Sequence, residues 1–374
     1  MRHIFTCIVG LSLLCGCEIK EEKQLTMGPP TNVYLKHCAG RHTIDFPWQY
    51  ELVEGTAGTF KPSGTSGEYS SIAVVISKNG IGPFKFVAEV SRRRAVLKAA
   101  VDETTDIFTL ERQVASETVL FRINRIDDAY VSEIHFLRGG AFVTATIKSW
   151  NREFVNAELV LEKFVQGVQV SGDGQPGAFC LGPVKIFGNF QEETGSYLFR
   201  DKVQMGNSFN LDIDTFKPDE KISLLQRMSG SDSLLTKFKS DHKVIRARKI
   251  SFADMNGEEW LGSIKLGDPV DPKKLQFVLE SVRSIPSKIA PYFHLSFETG
   301  KTLEDGTVNP VVMPEDEASK QWDTVVSSIK APPVKKESHK VTEIQLSVHC
   351  YIGCANRAFR PVVKKFLMLP TPRN

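Results

Sequence analysis

Few residues of this chain are spaced for chemistry. His37 and His42 flank Cys38, the residue types that a thiol nucleophile and its base require. That chemistry needs a thiolate, which a Cys38 held in a disulfide cannot supply. Glu258-Glu259 is a carboxylate pair, but neighbours on a strand point to opposite faces and would not share a proton. Asp212-x-Asp214 lacks the Gly and the terminal Glu of a calcium loop and reads as a strand edge or turn. Cys350-x-x-x-Cys354, with His339 and His349 nearby, is half a zinc set without a second cysteine pair. His135, His242 and His294 read as exposed or hydrogen-bonded side chains. The chain has no Gly-x-Ser-x-Gly elbow, no His-Glu-x-x-His and no phosphate loop. The expectation is a protein without catalytic residues, metal or cofactor, although scattered catalytic residues would escape such a search.

The N-terminus carries a clearer signal. Arg2 precedes an apolar stretch from Ile4 to Leu14, which Leu14-Cys15-Gly16-Cys17 closes. A basic end, a short apolar core and small residues at a cleavage point describe a secretory signal, too short to span a bilayer. Leu-x-Gly-Cys also resembles the bacterial lipobox, in which the last Cys is acylated and becomes residue one. Residues 1–16 are therefore expected to be removed, with Cys17 as the lipid anchor. Glu18, rather than Asp, points to the inner leaflet of the outer membrane. Residues 18–31 are polar, end in Pro29-Pro30 and read as a tether. Fully extended, such a tether reaches at most ~50 Å and would keep the folded body near the membrane.

The whole chain carries a net charge of +3, which gives no case for nucleic acid as a partner. Four cysteines remain beyond Cys17: Cys38, Cys180, Cys350 and Cys354. An even number in an oxidising compartment favours two disulfides, and three connectivities are open. The reading favours Cys38–Cys180 with Cys350–Cys354, the latter because Cys-Tyr-Ile-Gly-Cys can close locally around Gly353. The former would close a loop of about 140 residues, a constraint worth roughly 4–5 kcal/mol on the chain-entropy model.

The elements that would position these groups are α+β. Ser71–Ser77 is a buried-strand run, and Val87, Val90, Arg94, Leu97 and Val101 mark a helix from about Gly82 to Val101. Strands are expected at Phe108–Val114 and Val119–Ile123, and a hairpin at Tyr130–Leu137 and Ala141–Ser149 about Gly139-Gly140. Asn151 offers an N-cap for a helix with stripe Phe154, Ala157, Leu161, Val165 and Val168. Ser171–Gly177 breaks all periodicity and reads as the boundary between an N-terminal domain, 32–170, and a C-terminal domain, 178–332. The second region offers strands near 196–200 and 208–213, helical segments near 220–240, a hairpin about Asn256-Gly257, further strands at Phe277–Val282 and Tyr292–Glu298, and a closing helix over about 315–330. That helix has Pro314 at its start and a stripe of Ala318, Trp322, Val325 and Ile329. Both halves open on a Cys with a Gly two residues later, and both close on an amphipathic helix. This hints at an internal duplication, and many hairpins favour antiparallel sheets. Residues 333–374 read as a small appendage, and Gly55–Gly67 and Asn189–Gly195 as protruding loops.

These residues resemble a known family. Cys38-Ala39-Gly40-Arg41 running into Ile44-Asp45-Phe46-Pro47 is similar to the opening of the type VI secretion lipase-immunity lipoproteins cognate to the fourth class of lipase effectors. Phe179-Cys180-Leu181-Gly182 resembles the start of that family's C-terminal domain. Gly257-Glu258-Glu259-Trp260-Leu261 resembles its Gly-Glu-Glu hairpin, and Tyr292–Leu295 with Glu298-Thr299-Gly300 its later strand and turn. The resemblance spans roughly residues 33–330. It implies a two-domain α+β lipoprotein of the periplasm that binds a secreted phospholipase effector, a protein partner, as a clamp over the active-site entrance. It also implies Cys17 as the membrane anchor and the Cys38–Cys180 pairing. The competing expectations are a periplasmic hydrolase with dispersed residues and a lipid-binding envelope lipoprotein.

Overall fold

A computed structural model of the chain describes residues 33–331 except 65–67, 101–106, 126–127, 172–176, 218–221, 230–241, 266–272, 283–286 and 301–312. Cys17, Cys350 and Cys354, with the expected signal, tether and appendage, lie outside the described residues.

The first half begins with a hairpin, β1 (Tyr34–Ala39) and β2 (His42–Pro47), followed by β3 (Tyr50–Leu52). Then come β4 (Thr56–Pro62), β5 (Ile72–Lys78), helix α1 (Pro83–Ala99), β6 (Ile107–Ala115), β7 (Thr118–Asn124), β8 (Tyr130–Arg138), β9 (Ala141–Ser149) and helix α2 (Phe154–Gln166). After β10 (Val168–Val170), a second hairpin, β11 (Phe179–Leu181) and β12 (Val184–Ile186), opens the second half. There follow β13 (Phe190–Asp201), β14 (Ser208–Asp214), helix α3 (Leu224–Ser229), β15 (His242–Phe252), β16 (Met255–Lys265), β17 (Lys273–Val282), β18 (Tyr292–Glu298) and helix α4 (Glu315–Ser328).

One antiparallel sheet runs in the order β15-β16-β17-β18-β14-β13-β4-β5-β9-β8-β7-β6. Read outward from the centre, β4-β5-β9-β8-β7-β6 and β13-β14-β18-β17-β16-β15 follow one connectivity, each with a helix after its second strand and another after its last. Glu133 under α1 and Glu280 under α3 are matching points. From Glu133 the register runs through Thr146 and Ala73 to Thr59; from Glu280 it runs through His294 and Asp212 to Ser196. Thr59 thus falls on Ser196 and Gly58 on Gly195. Gly58 and Gly195 are themselves paired across the β4–β13 ladder, so a pseudo-twofold axis passes through them.

The two expected domains do not have separate cores: the described residues form one compact unit. The physical reason is an exchange of hairpins. β1–β2 closes the core face of the second half, with Phe46 against Phe199 at 4.2 Å and Phe209 at 5.0 Å, and Thr43 bridging Lys330 beyond α4. The β11–β12 hairpin closes the first half, with Phe179 edge-on to Phe60 at 5.2 Å and β12 paired to β10 behind α2. Each half therefore buries its apolar face under a piece of the other, and neither half holds its whole core. Where the hairpins cross, Cys38 and Cys180 are joined by a disulfide across a separation of 142 residues.

Local signals explain the helices. Pro83 occupies the first turn of α1, and Pro314 precedes the acidic first turn Glu315-Asp316-Glu317 of α4, where the helix dipole favours carboxylates. The expected stripe of α4 (Ala318, Trp322, Val325 and Ile329) is buried throughout. Three expectations need correction. On α1 the buried side chains are Phe86, Val90 and Leu97, and Val87 faces solvent. Asn151 does not cap α2: it adopts φ 51°, its side chain bonds Glu68, and Glu153 holds the cap position. Gly55–Gly67 and Asn189–Gly195 are not protruding loops, because most of their described residues belong to the central strands β4 and β13. Their glycines answer a close approach: a Cβ on Gly58 would lie 2.6 Å from the Thr194 carbonyl oxygen.

Candidate protein interface

The face of the sheet away from the hairpins is covered at both flanks and bare in the middle. On the first flank α1 lies on β7–β9: Phe86 packs against Phe142 at 5.7 Å, and the Arg93 guanidinium grips Glu133 through two bonds of 2.7 and 2.8 Å. On the second flank α3 lies on β16 and β17: Leu224 packs with Trp260 and Val278, and Arg227 donates to Glu280 at 2.6 and 2.7 Å. Between the two helices the outer faces of β5, β4, β13 and β14 form an open groove of about 640 Å³, centred on the pseudo-twofold axis.

Strand alternation decides what lines this groove. The large side chains of the four strands (Phe60, Ile72, Tyr197, Phe199, Phe209) point into the core. The floor receives the other parity: Ala57, Thr59, Ala73, Val75, Thr194, Ser196, Asp212 and Asp214. The first-half part is small and uncharged. The second-half part holds two carboxylates, and its wall carries Lys217, Tyr292 and His294. The Lys217 ammonium stands 4.1 Å from the centre of the Tyr292 ring. Burial, with the nearby Glu280 charge, pushes the Tyr292 phenol above its ordinary pKa, so it stays neutral. His294 contacts Glu280 through Nδ1 at 3.1 Å. Shallow relief, exposed hydroxyls and fixed charges suit the docking of a segment of another protein.

Of the residues singled out in the sequence, Asp212, Asp214, Tyr292 and His294 line the groove, and the others lie elsewhere and hold the frame. Gly40, at φ 56°, turns the first hairpin; its amide donates to the Tyr197 hydroxyl at 2.7 Å and to the Cys180 carbonyl at 3.0 Å. A Cβ there would come within 2.9 Å of Ile213. Arg41 donates to both oxygens of fully buried Glu193 on β13, at 2.8 and 2.6 Å, and so ties the hairpin to the opposite half. The Asp45 amide bonds Ser328 of α4 at 2.8 Å, and Pro47 ends β2. Gly257 leaves room for Phe252, whose ring a Cβ would meet at 2.6 Å. Glu258 and Glu259 do face opposite sides. Glu258 accepts from the Leu225 amide of α3, while Glu259 accepts from Arg246, Arg248 and the Trp322 indole at 2.8 Å.

Cys38 is oxidised, so His37 and His42 have no thiolate partner. Burial lowers the pKa of both rings. His42, 1% exposed, falls to about 4, with Phe293 edge-on at 5.8 Å. Among the described residues no group of three or more His, Cys, Asp or Glu could hold a metal ion. The groove itself was invisible in the sequence, because it depends on which four strands become neighbours.

Residues 175–334 match the family described as Tle cognate immunity protein 4, C-terminal domain. No curated protein is significantly similar in sequence. Three solved structures share the fold, each at 18% identity. The immunity protein TplEi of the type VI system from Pseudomonas aeruginosa, complexed with an "L" peptide, has a TM-score of 0.57 over 81% of this chain and 100% of its own. A Tle4-Tli4 complex chain has a TM-score of 0.60 over 81% and 99%. The apo form of TplEi has 0.58 over 80% and 97%. The matched domain is one of immunity proteins.

Proposed function

We propose that this chain, whose residues 175–334 belong to the Tle cognate immunity protein 4 family, binds a type VI secreted phospholipase effector and blocks its active-site entrance. The observation that carries the reading is the bare groove between α1 and α3, set on a rigid two-sided frame. The frame is preorganised by the crossed hairpins and the Cys38–Cys180 bond, so little order is left to impose on binding. One neighbour of the same fold is complexed with a peptide and another sits in a complex with Tle4, which supports a protein segment as the occupant. The two halves act as the jaws of the clamp, and their repeated topology is the remnant of an internal duplication. The protein works in the periplasm, anchored through Cys17 in the outer membrane, where its target meets lipid.

The test is a titration of the full chain into the purified lipase encoded beside its gene, with phospholipid hydrolysis followed in the same tube. A stoichiometric complex with lost hydrolysis is expected; a lipase that neither binds nor slows would overturn the reading. Cell fractionation of the native chain against a Cys17→Ser variant tests the anchor, and an unchanged membrane fraction in the variant would remove it.

A further inference from the structure

The floor of the groove continues along β13 and β14. After Ser196 and Asp212, the next outward positions are Leu198 with Asn210, then Arg200 with Ser208. These four side chains line a second hollow of about 220 Å³, which Met205 of the β13–β14 turn and Glu298 of β18 complete. The two hollows therefore adjoin on one face of one strand pair.

Most charges along this strip are engaged. Asp214 accepts from the Phe216 and Lys217 amides at 2.7 and 2.8 Å. Lys217 lies against Tyr292, His294 contacts Glu280, and Glu298 accepts from Lys274 at 2.9 Å. Two charges are left over. Neither the Asp212 carboxylate nor the Arg200 guanidinium has a hydrogen-bond or ion-pair partner among the described residues, and both residues are half-buried. Arg200 stands four residues beyond Ser196, which lies opposite Asp212. That is about 13 Å along the strands and one strand across. Screening reaches only about 8 Å at physiological salt, so the two do not neutralise each other. The first half offers no such pair: its part of the floor is Ala57, Thr59, Ala73 and Val75, and Lys61 is held by Glu192 at 2.9 Å.

We propose that one extended segment of the effector lies along β13 and β14, with a cationic side chain over Asp212 and an anionic side chain over Arg200. Same-face residues of an extended chain repeat every second position, so the two charges of the segment stand four residues apart. The side chain between them rests on Leu198, and exposed Met205 flanks the anionic end. This rests on the immunity reading and specifies the chemistry of its partner. Opposite charges at a fixed spacing set the register and direction of the segment, which a floor of hydroxyls and methyls cannot.

The experiment measures affinity of the full chain for the purified lipase encoded beside its gene. Asp212→Lys and Arg200→Glu are compared with Lys163→Glu, exposed on α2 of the opposite face, which changes the net charge as Arg200→Glu does. The two groove variants move the net charge in opposite directions, yet both should weaken binding about 30-fold or more, with the control unchanged. A loss in only one of them, or a gain in the other, would mean that overall charge or a single contact is at work, and overturns the paired seat. So does a complex that forms normally and changes less than about 3-fold in both. Either result leaves the immunity reading intact, whereas no complex with wild type removes both. Neither side chain has a partner to lose, so thermal melting should match wild type. If a reversal does unfold the chain, Asp212→Asn and Arg200→Gln keep the shape and should each weaken binding about 10-fold; changes under about 3-fold in these overturn the proposal equally.

Discussion

The two halves share a topology and differ in what they place on its surface. The pseudo-twofold axis carries Ala73 onto Asp212 and Val75 onto Asp214, so one fold position is apolar on one side and anionic on the other. The helix over the first flank has 17 residues and that over the second has 6. Below the sheet the halves agree more closely. Cys38-Ala39-Gly40 and Cys180-Leu181-Gly182 form equivalent turns, with the two glycines at φ 56° and 57°. The comparison teaches that the core face is held by a shared geometric demand, while the groove face is free to diverge.

The largest expected effect tests whether the crossing turns hold the halves together. Replacing Cys38 and Cys180 by Ser releases a 142-residue loop, worth about 5 kcal/mol on the chain-entropy model. Urea unfolding should shift by about that amount and keep one transition, because the hairpins still interlock. Two separated transitions would show that the halves fold independently and that the exchange of hairpins contributes little.

A second test sharpens the difference between the buried carboxylates. Glu259 is fully buried on β16, between Arg246, Arg248 and Trp322. Glu158 plays a comparable part on α2, facing Arg112 and Arg122. Glu259→Gln should destabilise by about 3 kcal/mol, since it strands guanidinium charge beside a dry indole. Glu158→Gln should lose about 1–2 kcal/mol, because Glu158 is 6% exposed where Glu259 is 0% exposed, and a small Ser132 hydroxyl stands where Glu259 meets a buried indole. Equal losses in chemical denaturation would mean that burial does not set the difference.

Much of this was legible in the sequence, and the gaps have physical causes. A buried apolar run placed β5 and the Gly139-Gly140 turn placed β8 and β9, which bury residues on both faces, while helical spacing placed α2 and α4, whose stripes bury in the main core. The same logic misplaced Val87, since a second face of α1 also carries apolar residues and only packing on Phe142 selects Phe86. Glycines at 55–67 and 189–195 signal loops by residue type, whereas Gly58 makes room for the Thr194 carbonyl and Gly195 for the Tyr197 and Phe179 side chains. Periodicity cannot distinguish those uses, because the Thr194 carbonyl that demands Gly58 lies over a hundred residues away in the chain. The motif residues Gly40, Arg41, Glu258 and Glu259 were found, but as frame and not as contact surface. The groove floor is mostly Ala, Thr and Ser, which carry no motif, and Asp212-x-Asp214 signals only a strand edge or turn.

Those glycines give a third test. A Cβ on Gly58 meets backbone, the Thr194 oxygen at 2.6 Å, while one on Gly195 meets the Tyr197 hydroxyl at the same distance. A side chain can yield more easily than a strand. Gly58→Ala should therefore destabilise by about 2–3 kcal/mol and Gly195→Ala by about 1–2 kcal/mol, read from thermal melting. The reverse order would show that the Tyr197 hydroxyl, tied to Gly40 and Cys180, is the less movable neighbour.

The smallest effect appears only in acid. Two residues past each turn glycine, the first half has His42 where the second has Val184, and both are buried. An unfolded His42 takes a proton near pH 6.5, but burial holds the folded ring neutral down to about 4. Its folded pKa lies below the unfolded one, so the unfolded state binds more protons between these values and stability falls as pH drops through that window. At pH 5 the loss is about 2 kcal/mol relative to pH 7.5. Glu133 acts outside this window: burial raises its pKa, but His135 and Arg93 outweigh it and hold the carboxyl at about 2, so its contribution fades only below the ordinary carboxylate range. His42→Val, which installs the residue of the other half, should remove most of the loss between pH 7.5 and 5. His37, lowered in the same direction, would leave a smaller residue. Urea titrations of both chains at the two pH values decide it. A wild-type chain equally stable at both would place the unfavourable proton somewhere other than His42, and the two hairpins would then differ in shape alone.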